Sequence, residues 1–268
     1  MPEGFIKPVN SLLGSIIIGF LQGVLEWLPV SSEGNLVIIL VSYFGLNTEE
    51  TISTAIFLHI GTGFAALVYF KEKVIKILTG NSEEYVDLRS KLIVMTGLTG
   101  IVGFPIFMWM NISVIYGELI LALTGLALII TGLLQRNAGK RKHDKSEVSW
   151  STSIILGAVQ GLAIIPGLSR SGLTTSILLM KNFKGEEAFH ISFLMSIPAS
   201  FAAALGLMLV DGFNPDLYAM LSAGVAALIG YFTIDSMLKL AQRISFWKIC
   251  IGLGTIAILA WVPSFLFG

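Results

Sequence analysis

The hydrophobic positions of this chain form long, nearly uninterrupted runs separated by short polar segments. Six runs are long enough to cross the hydrocarbon core of a bilayer, for which about 20 residues are needed. They cover residues 52–70, 92–110, 117–135, 187–209, 217–237 and 248–267. The pattern therefore predicts an all-α, polytopic membrane protein with six transmembrane helices.

Two further apolar regions, 11–45 and 152–180, are each interrupted by a proline and by a turn rich in Ser and Gly. In the second region the arm 154–165 makes only about 18 Å of helix, which is too short to span. Non-helical backbone at membrane depth is tolerated only where it is buried in protein or lines a watery cavity. We therefore predict two re-entrant helical hairpins whose tips meet at a polar site. The first arm, 11–28, could span on length alone, so its assignment rests on an internal repeat.

The tips of the two broken regions are related in sequence. QGVLEWLPVSSEG at 22–34 and QGLAIIPGLSRSG at 160–172 align with a shift of 138 positions, which matches the Gln, the following Gly, one Ser and the final Gly. Each copy is then a hairpin followed by three crossings, and an odd number of crossings inverts the second copy relative to the first. We predict a single membrane domain of two inverted-topology repeats, 8–135 and 151–268, joined by the linker 136–150.

Weaker matches extend the repeat into the crossings. Phe64-Ala65-Ala66 corresponds to Phe201-Ala202-Ala203, and Gly103-Phe104 corresponds to Gly230-Tyr231. Because Ala and Gly are common at any helix interface, these matches add only modest support.

Composition and charge placement agree with a membrane protein. Hydrophobic residues make up 54% of the chain and charged residues 13%, against a charged share of roughly 25% in soluble domains. With the six runs as crossings, one side of the membrane collects 15 of the 17 basic residues, namely Lys71, Lys73, Lys76, Arg89, Lys91, Arg136, Lys140, Arg141, Lys142, Lys145, Lys181, Lys184, Lys239, Arg243 and Lys248. By the positive-inside rule that side is cytoplasmic, which places both termini on the outer side of the cell membrane. We read the basic linker as a topology signal with some affinity for anionic lipids, and expect membrane lipids but no nucleic acid as partners.

The first hairpin tip supplies the acidic groups. Gln22 and Glu26 are four residues apart and share one helix face. A carboxylate at membrane depth costs roughly 3 kcal/mol and indicates a functional residue, although hydrogen bonding for packing alone is the alternative. After the proline a turn precedes the next helix, and helix N-termini and turn N–H groups bind phosphate. Its polar residues are Ser31, Ser32, Glu33, Gly34 and Asn35.

The second tip supplies a cation instead. Arg170 lies at the position of Ser32, and arginine suits bidentate phosphate binding. The alternative is a structural ion pair of Arg170 with Glu26 or Glu33, and the two roles are compatible. Carboxylates beside a phosphate, without a Cys or His cluster, favour Mg²⁺ or Ca²⁺ held by oxygen ligands, for which Gln22, Glu26 and Glu33 are the candidates. The other polar residues of this tip are Gly167, Ser169, Ser171, Gly172, Thr174 and Thr175.

Both tips resemble a known family. QGVLEWLPVSSEGNL and PGLSRSGLTT are similar to the two signature regions of the undecaprenyl-pyrophosphate phosphatase family of the bacitracin-resistance type, and FLHIGTGFAALVYF and FHISFLMSIP resemble further family segments. The resemblance covers essentially the whole chain. It implies an inverted-repeat fold, often as a homodimer, and metal-assisted removal of the terminal phosphate from a polyprenyl diphosphate at the outer face.

The resemblance also implies roles for individual residues. Glu26 matches the second acid of the family's E-x-x-x-E motif, Ser31 and Ser32 match its Ser pair, and Arg170 matches its essential arginine. Gln22 stands where the first Glu is usual, and Glu33 replaces a small hydroxyl residue. Asn35 stands where most members carry a His that would act as base or nucleophile. We therefore expect Glu33 or His59 to have taken that role, although a hydrogen-bonded interior histidine is the alternative for His59.

Together these features predict an integral-membrane polyprenyl-diphosphate phosphatase. We expect Ser32 to be the nucleophile, with a metal-activated water as the alternative, and Glu26, Glu33 and Arg170 to complete the catalytic set. The rival hypothesis is a transporter or flippase for a phosphorylated lipid or small anion, because secondary transporters also use inverted repeats with broken helices. The expected phosphate-binding residues are Ser31, Gly34, Ser169, Arg170, Ser171 and Thr174.

Overall fold

The computed structural model describes residues 11–44, 48–112, 119–138, 147–243 and 245–267. Within these ranges every regular element is a helix, as the sequence predicts. The helices are α1 (Leu12–Leu25), α2 (Ser32–Phe44), α3 (Thr48–Tyr69), α4 (Lys71–Thr79), α5 (Glu83–Ile112), α6 (Leu119–Ala138), α7 (Trp150–Leu162), α8 (Arg170–Met180), α9 (Gly185–Val210), α10 (Leu217–Arg243) and α11 (Phe246–Phe267).

The long apolar helices make this an integral membrane protein. Four of the described helices, α3, α5, α9 and α10, are long and apolar enough to cross a bilayer by length and composition. They coincide with four of the six predicted runs. The other two predicted runs, 117–135 and 248–267, correspond to α6 and α11 with small shifts at the ends.

One element was not predicted. The short helix α4 has nine residues and follows α3 directly, and Gly80 ends it with a left-handed φ of 66°. Its Ile77 is buried, whereas Ile75 and Leu78 are exposed. A helix of this length with lysines among its apolar residues is typical of a segment lying along a membrane surface.

The two broken regions form pairs of short helices. Their first arms, α1 and α7, have 14 and 13 residues, which makes each about 20 Å long, shorter than a hydrocarbon core of about 30 Å. The side chains of Ser11 and Ser149, which are 138 positions apart, cap them by accepting the backbone N–H of Gly14 and Thr152. The arm 11–28, long enough to span by sequence, thus ends its helix early, at Leu25.

Each first arm packs along a long helix through glycines. A Cβ on Gly19 of α1 would lie 2.4 Å from the carbonyl oxygen of Ser222 in α10, and a Cβ on Gly157 of α7 would lie 2.6 Å from that of Met95 in α5. Only glycine permits so close an approach of two backbones.

The remaining contacts place α3 and α9 beside the hairpin tips. α2 packs on α3 and α8 packs on α9, and Phe64 of α3 meets Phe201 of α9 edge to face at 4.9 Å between ring centroids. At another interface α6 and α11 touch at Gly125 and Gly254. Side chains from α3 and α9 can therefore reach the polar turns at the two tips.

Candidate functional site

The first tip is a strained turn held by its own side chains. Ser31 has a left-handed φ of 61°, which costs a non-glycine residue about 1–3 kcal/mol. The Asn35 amide donates to the carbonyls of Val30 and Ser31, both at 2.8 Å, and the Ser31 hydroxyl accepts the N–H of Gly34 at 3.2 Å. Asn35 is therefore engaged in shaping the turn.

The second tip repeats this cap and contacts the first. The Ser169 hydroxyl accepts the N–H of Gly172 at 3.1 Å, which corresponds to the Ser31 cap in the aligned sequence. Gly167 has a φ of 94°, and a Cβ on Gly34 would lie 2.9 Å from its Cα. The two tips thus meet through glycines at backbone distance.

Donors from other helices, in both halves of the chain, also hold the first tip. Ser171 donates to the carbonyl of Leu28 at 3.2 Å, and the Cys250 thiol donates to the carbonyl of Pro29 at 3.2 Å. The Gln135 amide donates to the same Pro29 carbonyl. These bonds satisfy carbonyls that the proline-containing turn leaves without helical partners.

Glu26 lies at the centre of the joined tips, and its side chain is only 4% exposed. Its Oε2 accepts hydrogen bonds from Ser32 at 2.8 Å and from Gln22 at 3.0 Å. Its Oε1 forms an ion pair with the guanidinium of Arg170. A buried carboxylate needs such compensation, since an unpaired one would cost several kcal/mol.

His59 of α3 is the fourth group at this carboxylate. Its Nε2 lies 3.3 Å from Glu26 Oε2, while its Nδ1 lies 2.8 Å from the carbonyl oxygen of Ala55. Because a carbonyl only accepts, Nδ1 must carry a hydrogen, and a bond between Nε2 and the carboxyl group then requires a second proton between them. His59 therefore contacts the same carboxylate oxygen as Ser32.

Arg170 begins α8 and is positioned by α9. Its Nη1 donates to the carbonyl of Ser192 at 3.3 Å, and its guanidinium lies 5.9 Å from the ring centroid of Phe193. Thr174 is fully buried; its hydroxyl donates to the Arg170 carbonyl at 2.8 Å and pairs with the Ser192 hydroxyl at 2.7 Å. Thr174 thus lies behind the arginine and braces it. Sequence reasoning did not assign Ser192 and Phe193 to the site, and the only signal was the similarity of FHISFLMSIP to a family segment.

Six buried side-chain oxygens have no hydrogen-bond partner within the described residues, and two of them belong to predicted metal ligands. These two are Oε1 of Glu33 and Oε1 of Gln22. The described residues include no group of three or more His, Cys, Asp or Glu side chains placed to hold a metal. Mg²⁺ is nevertheless commonly bound by one or two carboxylates together with substrate phosphates and water. The residues present therefore fit a divalent cation completed by substrate, and do not form a closed protein cage.

The polar groups surround a small pocket that adjoins a larger apolar cavity. The pocket has a volume of about 30 Å³, enough for one or two water molecules. Glu33, His59, Ala163 and Arg170 line both it and a neighbouring cavity of about 230 Å³. Gln22 and Thr174 do not line the polar pocket. Its remaining lining residues are Glu26, Leu28, Ser31, Ser32, Leu168, Ser169 and Ser171.

This arrangement combines a hydroxyl, a proton acceptor and a cation in one buried pocket. Ser32 is within hydrogen-bond reach of a carboxylate, which is the geometry of an activated oxygen nucleophile. Arg170 can pair with a phosphate as it pairs with a carboxylate. The site is therefore chemically equipped for phosphoryl transfer.

Similarity to known proteins identifies the family of this chain. Residues 15–256 match the family described as "Bacitracin resistance protein BacA". A protein of Methanococcoides burtonii named undecaprenyl-diphosphatase is 40% identical over an alignment of 260 positions, which covers 93% of this chain and 98% of the relative. Proteins of the same name from Haloarcula marismortui and Methanothrix thermoacetophila are 37% and 36% identical, covering 93% and 92% of this chain and 97% and 95% of their own lengths. The chain belongs to the bacitracin resistance protein BacA family.

Proposed function

We propose that this protein is a membrane phosphatase that removes the terminal phosphate of a polyprenyl diphosphate, leaving the polyprenyl monophosphate and inorganic phosphate. One observation carries the proposal: the Ser32 hydroxyl lies 2.8 Å from Glu26 in a pocket also lined by Arg170. The shared family and the names of the relatives support the same chemistry and the same lipid class of substrate.

Phosphate binding begins with Arg170. In the structure its guanidinium pairs with Glu26, so an incoming diphosphate oxygen competes with that carboxylate. Ser169 and Ser171 line the same pocket from the α8 side and Ser31 from the other tip, and the N-terminus of α8 adds a favourable dipole. Gly34 allows the two tips to meet. As phosphate takes over the guanidinium, the Glu26 carboxylate is released to accept a proton.

The chemical step follows from that release. The Ser32 oxygen attacks the terminal phosphorus and gives its proton to Glu26, while the bond from that phosphorus to the bridging oxygen breaks and the polyprenyl monophosphate leaves. Glu26 passes that proton to the leaving monophosphate. Water then attacks the phosphoserine and gives a proton to Glu26, which returns it to the Ser32 oxygen as the bond from that oxygen to phosphorus breaks, so that inorganic phosphate leaves and the hydroxyl is restored. Arg170 offsets the negative charge of the transferring group in both steps. Direct attack by water is the alternative, and trapping of a phosphoserine decides between them.

A divalent cation, Mg²⁺ or Ca²⁺, would be held by Glu26, Glu33 and Gln22. When bound it supplies positive charge that polarises the phosphoryl oxygens. The unpartnered oxygens of Glu33 and Gln22 support this assignment.

We also propose that the two halves, 8–135 and 151–268, are inverted repeats with their shared site near the bilayer midplane and open to the outer face. Equivalent positions make equivalent contacts: a Cβ on Gly23 would meet the backbone N of Gly230, and one on Gly161 that of Gly103. Phe64 and Phe201, equivalent in sequence, contact each other, as expected beside a pseudo-two-fold axis. The charge placement supports a cell-membrane location with both termini outside, and the homodimer stays a prediction.

Phosphate release from a long-chain prenyl diphosphate in detergent, with and without a chelator, tests the function. Ser32→Ala should reduce the rate by orders of magnitude. The matched control Ser196→Ala also removes a buried serine hydroxyl, one that donates to the Phe193 carbonyl and to no other described residue, and should stay within about twofold. Full activity of Ser32→Ala would refute the assignment of Ser32 as the nucleophile. Tight binding without metal-dependent release would favour a transporter or flippase of the phosphorylated lipid.

A further inference from the structure

One face of α6 lies along both hairpin tips. Thr124, Ala127, Thr131 and Gln135 follow one another at spacings of three and four residues, so they share this face. A Cβ on Gly167 of the second tip would lie 2.4 Å from the carbonyl oxygen of Thr124 and 3.0 Å from the Cβ of Ala127. The second tip is therefore in backbone contact with α6.

Two side chains of this face bond to different tips. The Thr131 hydroxyl is fully buried and accepts the backbone N–H of Ser169 in the second tip at 3.4 Å. One turn later the Gln135 amide donates to the carbonyl of Pro29 in the first tip. A Cβ on Gly172 would lie 2.9 Å from Gln135 Nε2, so the amide lies against the backbone of the second tip while it bonds to the first.

The Pro29 carbonyl belongs to the turn that presents Ser32. α1 ends at Leu25 and α2 begins at Ser32, so no continuous helix fixes the path of the chain between them. Ser31 in this turn has a left-handed φ, a conformation that persists only where surrounding contacts hold it. The hydrogen bond from Gln135 therefore helps to set where the Ser32 hydroxyl lies.

A second donor reaches the same carbonyl from α11. The Cys250 sulfur lies 3.2 Å from the Pro29 oxygen and 3.6 Å from Gln135 Nε2. α6 and α11 pack closely against each other, since a Cβ on Gly125 would lie 2.6 Å from the carbonyl oxygen of Gly254. Both donors thus come from one tightly packed helix pair that lies outside the two hairpins.

We propose that Gln135 is a positioning residue for phosphoryl transfer, a proposal that rests on the function proposed above. Through the Pro29 carbonyl it holds the turn carrying Ser32 at a fixed distance from the second tip, which Thr131 holds from the same face of α6. Gln135 does not line the polar pocket, so it acts through the turn and not by contact with the substrate.

This distance matters because the nucleophile and the phosphate-binding arginine belong to different hairpins. Ser32 lies on the first hairpin and Arg170 on the second. In-line attack needs the reacting atoms about 3–3.5 Å apart, and a misplacement of about 1 Å lowers the rate on the order of 10²-fold. Residues that hold the nucleophile tip should therefore change kcat, and residues that hold the phosphate-binding tip should change KM.

Replacing Gln135 by leucine tests the proposal. Gln135→Leu removes the amide at similar side-chain size, and should lower kcat about tenfold or more while KM for a long-chain prenyl diphosphate stays within about twofold. Asn137→Leu is the matched control, because it removes an exposed amide two residues later on α6 and should keep both constants. Thr131→Val removes the acceptor of the Ser169 N–H and should have the opposite effect, a raised KM with a smaller change in kcat.

A double-mutant cycle tests whether the two donors act through one carbonyl. Cys250→Ala leaves the Gln135 amide at Pro29, Gln135→Leu leaves the thiol, and the double variant leaves neither. Because losing the last donor to a buried carbonyl costs more than losing one of two, kcat of the double variant should fall by more than the product of the two single effects. A double variant no worse than that product would show that Gln135 does not act through this carbonyl, and would overturn the proposal.

Hydrogen exchange of the segment 26–36 tests the positioning apart from catalysis. Gln135→Leu should speed exchange in this segment and leave exchange in α3, α9 and α10 unchanged, whereas Asn137→Leu should match the wild type throughout. A wild-type kcat in Gln135→Leu, or faster exchange over the whole chain, would overturn the proposal, because the effect would then be absent or a general loss of stability. A wild type that releases no phosphate, with faster exchange confined to segment 26–36 of Gln135→Leu, would refute the phosphatase and retain the role of Gln135 in holding the turn.

Discussion

Replacing Arg170 by lysine isolates the contribution of the guanidinium fork from that of its charge. In the structure the fork has two partners, Glu26 through Nη2 and the Ser192 carbonyl through Nη1 at 3.3 Å. A lysine ammonium keeps the charge but has one nitrogen, so it cannot hold both α9 and a carboxylate or phosphate in the same planar geometry. Arg170→Lys therefore removes one directed contact and leaves the ion pair possible.

The expected sizes of the effects on rate and stability differ. Loss of one preorganised donor to a developing charge costs about 2.7–4 kcal/mol of transition-state stabilisation, or about 10²–10³ in kcat. Loss of the charge-assisted hydrogen bond from the guanidinium to the Ser192 carbonyl costs about 1.5–3 kcal/mol of folding stability. Arg170→Met, in contrast, leaves Glu26 buried and unpaired, for which about 3–5 kcal/mol is expected.

Phosphate release and thermal unfolding in the same detergent measure the two effects. Arg136→Lys is the matched control, because Arg136 packs its guanidinium over the ring of Trp247, 5.2 Å away, outside the polar pocket. We expect Arg170→Lys to lose rate while lowering the unfolding temperature less than Arg170→Met does, and Arg136→Lys to keep its rate. An Arg170→Lys variant with wild-type kcat would refute the phosphate-gripping role.

The remaining predictions concern the second carboxylate and the topology. Glu33→Gln should abolish turnover almost as fully as Glu26→Gln, because each removes one negative charge from a metal site with few carboxylates, whereas His59→Gln should reduce the rate only slightly. Initial rates of the three variants check this, and a near-normal rate for Glu33→Gln with loss of activity in His59→Gln would assign the base to His59. Single cysteines at Lys184 and Asn214, which flank α9 and are exposed, should react with an impermeant maleimide from opposite sides of the membrane. The native cysteine is buried and should not react, and labelling of both positions from the same side would contradict the inverted-repeat topology.

The four long apolar helices α3, α5, α9 and α10 were predictable because long apolar runs have few other stable arrangements. The main error lay in the extents of the helices. α5 begins at Glu83, nine residues before the predicted run 92–110, since charged residues such as Glu, Arg and Lys are good helix formers outside the hydrocarbon core. The helix α4 was missed for a related reason: a search for spans about 20 residues long does not register a nine-residue amphipathic helix.

The sequence predicted which residue types form the site but not which of them contact one another. An ion pair of Arg170 with Glu26 or Glu33 was the alternative to its phosphate-binding role, and the structure places the ion pair at Glu26. It also places His59 against that carboxylate. The position of His59 along its helix could not by itself predict this contact. The Ser192 carbonyl could not be predicted, because every residue has a carbonyl and no residue type marks one as a ligand.

The pairing of Glu26 with Arg170 has a consequence for biosynthesis. The two residues are 144 positions apart, so Glu26 enters the bilayer before its cation has been synthesised. Until α8 arrives, the unpaired carboxylate costs roughly 3 kcal/mol at membrane depth, and the first hairpin has no completed partner to hold it. A fragment ending after α6 should therefore be degraded by membrane proteases, and separate expression of a fragment beginning at residue 147 should rescue it.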